Sequence, residues 1–436
     1  MPTTSRRLRE ARAASRLPLV LLALLMLAST LPRGLRAQHV LVPMDDAQQN
    51  HLKAYGLMYN ALKAGLRGEW LLNYRGGSFL LPDAPTLRRQ AALAGITLES
   101  ADDGAVSAIR GEMAGGNMDA VVLEKAPKVA IYTPPKSPPW DDAVTLALRY
   151  AGIPYDTIWD DEVVKGGLAK YDWVHLFHED FTGQQSKFYL AYRGAPWYQE
   201  LVDRDKASAE RLGFATVPDL KKGVAEGFRG FVERGGFLFA MCGATETLDL
   251  ALAAHDVDIA QAFADGTAID PDADAKLDWK HSFAFINAHV ERSPYLNSQS
   301  DVDGHQVNVS GRRQPLGTFT LFGFSAKFDP IASMLVQNHR SVIPDFYGVT
   351  TSFSKATLKP GVTVLAFEEG APWVKYIHGD YGKGSWTFLG GHDPEDPQHA
   401  VGNPPTDLAL HPNSPGYRLI LNNVLFPAAK KKPLKT

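Results

Sequence analysis

The chain has 436 residues, of which 45% are hydrophobic, 10% aromatic and 21% charged. This composition is that of a folded globular protein and excludes disorder, collagen and coiled coil. The formal charge of −3 argues against a nucleic-acid-binding protein. The single cysteine, Cys242, excludes a disulfide framework and a zinc site built from several cysteines.

The first 37 residues have the pattern of a targeting segment. Several arginines precede an apolar run from Leu17 to Ala28, which is too short to span a membrane as a stable helix, and a cleavage site follows at Ala37. We predict that residues 1–37 are a signal peptide, that the protein is exported to the periplasm or the extracellular space, and that no membrane span remains after cleavage. An uncleaved anchor is the alternative, because Leu35 is a poor residue three positions before the cleavage site.

Residues 38–126 alternate strand and helix signals, which predicts an N-terminal α/β subdomain that begins with a βαβ unit. The expected elements are a strand over His39–Pro43, a helix over Asp46–Gly65, a strand over Glu69–Asn73, a helix over Ala84–Ala94 and a strand over Ala120–Leu123.

The same alternation continues through residues 127–429 and predicts a doubly wound α/β domain, with sites at the carboxyl ends of its strands. An irregular insertion or lid is expected at about residues 255–350, and a basic tail at residues 430–436. The expected strands include Lys128–Tyr132, Tyr155–Ile158, Trp173–Phe177, Phe237–Met241, Trp373–Ile377 and Ser385–Leu389. The expected helices include one from Asp141 or Asp142 to Tyr150, and the helices Pro218–Arg234 and Gly416–Phe426.

Cys242 is the candidate nucleophile. It follows the buried strand Phe237–Met241 and precedes a helix with Thr245 as a candidate N-cap, so its sulfur lies in a strand-to-helix turn. A helix N-terminus lowers the pKa of a thiol, and the amide of Gly243 is placed to hold an oxyanion. We therefore expect an accessible, acidic thiol, with an inert buried cysteine as the alternative.

The candidate general base is His392, in the run Gly390–Asp396. This run directly follows the strand Ser385–Leu389, so it places an imidazole beside carboxylates at the carboxyl end of a strand. Either Asp393 or Glu395 is expected to orient the imidazole. The alternative is a capped turn in which Asp393 accepts hydrogen bonds from backbone N–H groups.

These two motifs, with the order of strands and helices around them, resemble the class I glutamine amidotransferase-like superfamily. The resemblance covers residues 128–426 and implies a flavodoxin-like fold, with Cys242 matching the nucleophile and His392 the base. The acid of that superfamily stands two positions after the histidine, where this chain has Pro394, so the orienting carboxylate is displaced to Glu395 or Asp393. Some branches, including trehalose-utilisation-like proteins, lack a cysteine triad.

A closer resemblance, over nearly the whole chain after residue 37, is to exported bacterial proteins labelled asparagine synthetase B. The matching stretches are Leu71–Phe79, His178–Gly183 and Gly391–Asp396. A glutamine-dependent asparagine synthetase needs an N-terminal cysteine and a Ser-Gly-Gly-x-Asp-Ser pyrophosphatase loop, and this sequence has neither. We therefore do not expect ATP-dependent asparagine synthesis.

A further group of candidate residues follows the strand Trp173–Phe177. His178, Glu179 and Asp180, together with Trp140, are predicted to bind a small-molecule substrate. Polar capping of the loop is the alternative. We expect no metal, no cofactor and no nucleic-acid partner.

Together these features predict an α/β protein with a mostly parallel, flavodoxin-like sheet of the amidotransferase type behind an N-terminal α/β subdomain. The predicted function is that of an exported cysteine-dependent hydrolase or amidase acting on a small C–N or ester bond. The alternative is a non-catalytic periplasmic module that binds a sugar or a peptide through the tryptophans Trp140, Trp173 and Trp197 and the carboxylates of Glu179 and Asp180.

Overall fold

A computed structural model describes residues 38–135, 141–304, 316–337, 340–396 and 404–429. The expected signal peptide over residues 1–37 and the expected basic tail over residues 430–436 lie outside the described residues. Within the described part of the chain, no helix is both long and apolar enough to cross a bilayer. The chain forms two β-sheets with helices packed against them.

Five strands near the N-terminus form an antiparallel sheet in the order β4-β1-β3-β2-β5. Its strands are β1 (His39–Val42), β2 (Gly68–Leu72), β3 (Ser78–Pro82), β4 (Glu99–Ala101) and β5 (Asp119–Leu123), and its helices are α1 (His51–Lys63), α2 (Pro85–Ala94) and α3 (Asp103–Gly115).

The two strands of the predicted βαβ unit are not neighbours in this sheet. β3 lies between β1 and β2 and runs antiparallel to both, because a tight turn over residues 73–77 returns the chain beside β2. Gly76 and Gly77 have positive φ angles in this turn, which glycine adopts without strain. α1 begins at His51, later than expected, because the Asn50 side chain accepts a hydrogen bond from the Lys53 N–H and caps the helix there.

The second sheet has ten strands, in the order β11-β10-β13-β14-β15-β9-β8-β6-β7, with β12 paired to β14. The strands are β6 (Val129–Tyr132), β7 (Asp156–Ile158), β8 (Trp173–Leu176), β9 (Phe237–Met241), β10 (Thr318–Leu321), β11 (Val342–Pro344), β12 (Phe353–Ser354), β13 (Thr363–Phe367), β14 (Trp373–Tyr381) and β15 (Gly384–Leu389). The helices are α4 (Ala143–Ala151), α5 (Asp160–Val164), α6 (Tyr189–Tyr192), α7 (Pro196–Leu212), α8 (Val217–Glu233), α9 (Gly243–Ala253), α10 (Ala262–Asp265), α11 (Ala273–Lys276), α12 (Ala332–Leu335) and α13 (Pro415–Leu425).

The α/β class is confirmed, but the sheets taken together are largely antiparallel rather than mostly parallel. Among the strands of the described ranges, only the pairs that join β7, β6, β8, β9 and β15 are parallel. A hairpin between β14 and β15 reverses the chain at the edge of this parallel group. Each strand added beyond β14 is then antiparallel to its neighbour.

The parallel strands β6, β8, β9 and β15 are buried on both faces, whereas β7 at the edge exposes Asp156 and Thr157. Along β9, Phe239 and Met241 belong to a hydrophobic core with residues of α1, α4 and α13, whereas Leu238 and Ala240 belong to a second core with residues of α8 and α9. This division follows from strand geometry, since successive side chains point to opposite faces. The first core also includes residues of the N-terminal sheet, so the two sheets share it.

Part of the expected insertion at about residues 255–350 extends the larger sheet, because β10 and β11 form its edge. The segment Asp345–Thr351 then reaches the chain around Cys242, where it makes several hydrogen bonds. We call this segment the strap.

Candidate functional site

Cys242 occupies a strained turn between β9 and α9. Its φ of 54° and ψ of −141° lie in a region that non-glycine residues rarely adopt. Its N–H donates to the Gly391 carbonyl at 3.1 Å, and its own carbonyl accepts hydrogen bonds from the Thr245 N–H and hydroxyl. Cys242 itself therefore stands at the N-cap, and Thr245, the expected N-cap, lies inside the helix.

The sulfur of Cys242 is covered by the strap. The Val349 N–H donates to Sγ at 3.1 Å, and only 1% of the residue is exposed. The expectation of an accessible thiol is therefore wrong for this closed arrangement. The sequence did not predict that the strap covers the sulfur, because the strap is distant from Cys242 in the chain and forms no regular helix or strand.

His392 lies beside Cys242 because their strands are neighbours. β15 runs parallel to β9 with Leu389 opposite Met241, so the residues that follow the two strands emerge side by side. The His392 ring is buried, with its centroid 4.6 Å from that of Phe177 and 6.0 Å from that of His178. The candidate nucleophile and the candidate base therefore lie at the same edge of the sheet. The hydrogen bond from the Cys242 N–H to the carbonyl of Gly391, the residue before His392, joins the two segments there.

The two carboxylates expected to orient His392 have other partners. Asp393 accepts a hydrogen bond from the Glu395 N–H at 2.9 Å, which is the capped turn considered as the alternative. Burial raises the pKa of Asp393, against the opposing effects of that N–H and of the Tyr417 and Thr406 hydroxyls. Glu395 pairs with His411 at 3.1 Å. The orienting role of either carboxylate stays a prediction.

The loop after β8 meets the first turns of α9. A side-chain carbon added at Gly243 would lie 3.6 Å from both the His178 carbonyl oxygen and the Val349 Cβ, and the Thr247 hydroxyl donates to the Glu179 carbonyl at 3.0 Å. Gly243 begins α9, where backbone N–H groups have no partner within the helix. The residue expected to supply the oxyanion donor therefore lies between the His178 loop and the strap.

The three polar residues of this loop differ in environment. Asp180 is buried and accepts hydrogen bonds from Thr182 and from the Ser186 N–H, so it caps the loop. Glu179 is half-buried, and its carboxylate has no hydrogen-bond or ion-pair partner among the described residues. Burial raises the pKa of Glu179 to about 7, although the charges of Lys221 and Arg204 oppose the shift. His178 is exposed.

The tryptophans predicted to bind a sugar or a peptide in the alternative function differ in their exposure to solvent. Trp173 is fully buried and donates to the Asn423 side chain at 2.9 Å, so it is a core residue and unavailable to a ligand. Trp197 is 43% exposed and packs against Tyr192 and Tyr198. Trp140 lies outside the described residues.

Glu246 is a further residue of the site, which was not among the residues predicted from the sequence. Its carboxylate is buried and accepts hydrogen bonds from the Gln299 N–H, the Ser300 hydroxyl and the Thr350 hydroxyl. Burial raises the pKa of Glu246 to about 7, against these hydrogen bonds and the charge of Lys187. In the sequence, the position of Glu246 one helical turn after Cys242 was the feature that could have indicated its place near the sulfur.

The strap is anchored at both of its ends. A buried ion pair joins Asp345 to Lys375 on β14, and the Lys375 ammonium also donates to the Phe346 carbonyl at 2.9 Å. The His392 N–H donates to the Tyr347 carbonyl at 2.6 Å and the Gly391 N–H to the Thr350 carbonyl at 2.8 Å.

No group of three or more His, Cys, Asp or Glu residues in the described ranges is placed to hold a metal ion.

No known protein family matches this chain, and no curated protein matches its sequence. Two solved structures of Salmonella typhimurium cytoplasmic proteins are similar at 11% and 13% identity, over 70% of this chain and 100% of each other chain, with TM-scores of 0.34 and 0.32. A catalytic mutant of a GH42 beta-galactosidase from G. stearothermophilus aligns at 10% identity over 61% of this chain and 27% of its own length, with a TM-score of 0.23. TM-scores this low carry no argument about fold or function, and the resemblance to the amidotransferase-like superfamily stays a prediction.

Proposed function

We propose that this protein is a cysteine-dependent hydrolase or amidase of the glutamine amidotransferase-like type, acting on a C–N or ester bond of a small molecule. The observation that carries the proposal is the backbone of Cys242, a non-glycine residue with a φ of 54° between a buried strand and a helix. Such a conformation costs of order 1–3 kcal/mol and clusters at functional sites. A sharp strand-to-helix turn is also the geometry that presents a nucleophile at the edge of a sheet.

The surroundings of Cys242 supply the other groups that acyl transfer needs. His392 takes the thiol proton, the thiolate attacks the carbonyl carbon, and the Gly243 N–H stabilises the oxyanion. The C–N or C–O bond then breaks, and the amine or alcohol leaves with the proton from His392. Water, deprotonated by His392, hydrolyses the thioester and releases the acid and the free thiol.

The proposal includes a finer description of the fold. The parallel strands β7, β6, β8, β9 and β15 stand in the order 2-1-3-4-5 when numbered along the chain, which is the flavodoxin order. Helices cover both faces of these strands. We therefore infer that a flavodoxin-like unit of the amidotransferase type lies within the larger sheet, with its site at the carboxyl ends of the strands.

Acylation by p-nitrophenyl acetate tests the catalytic proposal, because Cys242 is the only thiol in the chain. For the reagent to reach Cys242 the strap must move off the sulfur, and we expect mass spectrometry then to find one acetyl group, on Cys242, in the native protein and none in Cys242→Ala. The variant His392→Ala should acylate more slowly by roughly 10²–10⁴-fold, the usual contribution of a general base. His255→Ala is the matched control, since His255 lies beyond the end of α9 and its imidazole contacts His281 and Asp256.

Two results would contradict this function. Ester cleavage that persists in Cys242→Ala would assign the chemistry to other residues. A Cys242 that reacts only after denaturation would make it an inert core cysteine and would favour the binding-module alternative, in which the half-buried carboxylate of Glu179 binds the ligand.

We also propose that the protein acts after export. The arginine-rich start and the apolar run from Leu17 to Ala28 support this proposal. N-terminal sequencing of the exported protein is expected to begin near Gln38. A full-length chain in the membrane fraction that resists carbonate extraction would indicate an uncleaved anchor instead.

A further inference from the structure

Glu246 is a buried carboxylate to which the proposed chemistry gives no role. One of its oxygens accepts hydrogen bonds from the Gln299 N–H at 3.1 Å and the Ser300 hydroxyl at 2.6 Å. The other oxygen accepts a hydrogen bond from the Thr350 hydroxyl at 3.0 Å. Residues 299–300 thus fix the carboxylate from one side, and the carboxylate in turn binds the strap.

Thr350 is adjacent in the chain to Val349, whose N–H donates to the Cys242 sulfur. On the other side of Val349, Gly348 packs so closely on Gly391 that an added side-chain carbon would lie 2.7 Å from the Gly391 Cα. The Val349 N–H is therefore held by backbone packing at Gly348, by the Thr350 carbonyl bound to the Gly391 N–H, and by the Thr350 hydroxyl bound to Glu246. Of these contacts, only the hydroxyl bond can be removed without disturbing the backbone.

We propose that Glu246 is a positioning residue: by holding the Thr350 hydroxyl it fixes the strap, so that the Val349 N–H donates to the Cys242 sulfur. A hydrogen bond to the charged form of a group favours that form, so the strap stabilises the thiolate. This inference rests on the proposed function, because the thiolate is the nucleophile of that reaction.

The charge of Glu246 acts in the opposite direction. A carboxylate close to a sulfur disfavours the thiolate, so the benefit must come through the N–H donor rather than through charge. Other ionisable side chains on the elements next to the turn are His178, Glu179 and Asp180 after β8, His392 and Asp393 after β15, Asp345 and Tyr347 of the strap, and Lys187, whose charge acts on Glu246. A variant that keeps all of these groups and removes only the Thr350 hydroxyl therefore isolates the positioning effect.

Thr350→Val is that variant, and alkylation of Cys242 by iodoacetamide against pH is the measurement. We expect the pH midpoint of alkylation to rise by roughly one to two units, the effect of losing one hydrogen bond to a charged group. Thr350→Ser should restore the wild-type midpoint because it restores the hydroxyl. Thr357→Val is the matched control, since it removes another threonine hydroxyl bond, at 3.0 Å to the Ser354 carbonyl, in the turn after β12 and outside the strap.

The outcomes separate this inference from the proposed function. An unchanged midpoint in Thr350→Val, with His392→Ala still slow in acylation, would overturn the positioning role and leave the hydrolase. A native wild-type thiol that does not react at any pH would overturn both. If Thr350→Val does not fold, as judged by its thermal unfolding, Thr350→Ala removes the same hydroxyl with less bulk, and the same shift of the midpoint is required of it.

Discussion

At the residue scale, Cys242 keeps a conformation that glycine would adopt without strain. Glycine elsewhere destabilises a strand or helix by roughly 0.5–1 kcal/mol relative to alanine. At φ 54° and ψ −141°, however, alanine carries the strain and glycine does not. We therefore expect Cys242→Gly to be at least as stable as Cys242→Ala in urea unfolding.

Ala244→Gly provides the comparison for this prediction. Ala244 lies within α9, where glycine lowers stability by about 1 kcal/mol through the helix propensity alone. If Cys242→Gly were less stable than Cys242→Ala by a similar amount, the backbone at Cys242 would carry no strain. No functional constraint would then be needed to explain the conformation of Cys242.

Two site residues could be predicted because their positions follow from the strands next to them in the sequence. Cys242 stands between the apolar strand β9 and a helix, and His392 comes shortly after the strand β15. The partners of Asp393, Glu395 and Asp180 could not be predicted in this way, because each depends on a contact made by the folded loops. Glu246 was visible in the sequence, but its hydrogen bonds come from residues more than fifty positions away.

At the element scale, the predictable elements were those with a strong apolar pattern. β9 was predicted over the residues it occupies, and α8 and α13 within one residue at each end. By contrast, α7 was not predicted, although it has 17 residues. Only four of them, Tyr198, Asp205, Ser208 and Ala209, are buried, and two of these are polar, so the helix has little apolar periodicity to detect.

The strap could not be predicted, because nothing in its sequence specifies a regular element. Its course depends on the buried ion pair between Asp345 and Lys375 and on glycines that let two segments of backbone approach closely. Breaking a buried pair leaves an uncompensated charge, so such a pair fixes one arrangement strongly. β14, which the sequence predicted as a strand, supplies Lys375 from the antiparallel part of the sheet and thereby helps to close the site.

At the scale of the whole molecule, buried carboxyl groups link the stability of the fold to pH. Burial raises the pKa of Glu179 and Glu246 to about 7 and that of Asp141 and Asp249 to about 6. Each group holds its proton more tightly in the folded chain than in the unfolded chain. The stability that each contributes is therefore fully present below the ordinary carboxyl pKa and is lost as the pH rises through the folded value.

Glu246→Gln tests this linkage at one group. The amide has the shape of the carboxylic acid but does not ionise, so the variant should lose less stability than the wild type as the pH rises. With a folded pKa of about 7 against an ordinary value of 4.5, we expect the decrease in unfolding free energy between about pH 5 and pH 8 to be smaller in the variant by roughly 2 kcal/mol. Urea unfolding at the two pH values measures it, with Glu233→Gln on the surface as the control. Equal losses in wild type and variant would mean that Glu246 is ionised throughout this range, and that the three hydrogen bonds to its carboxylate outweigh its burial.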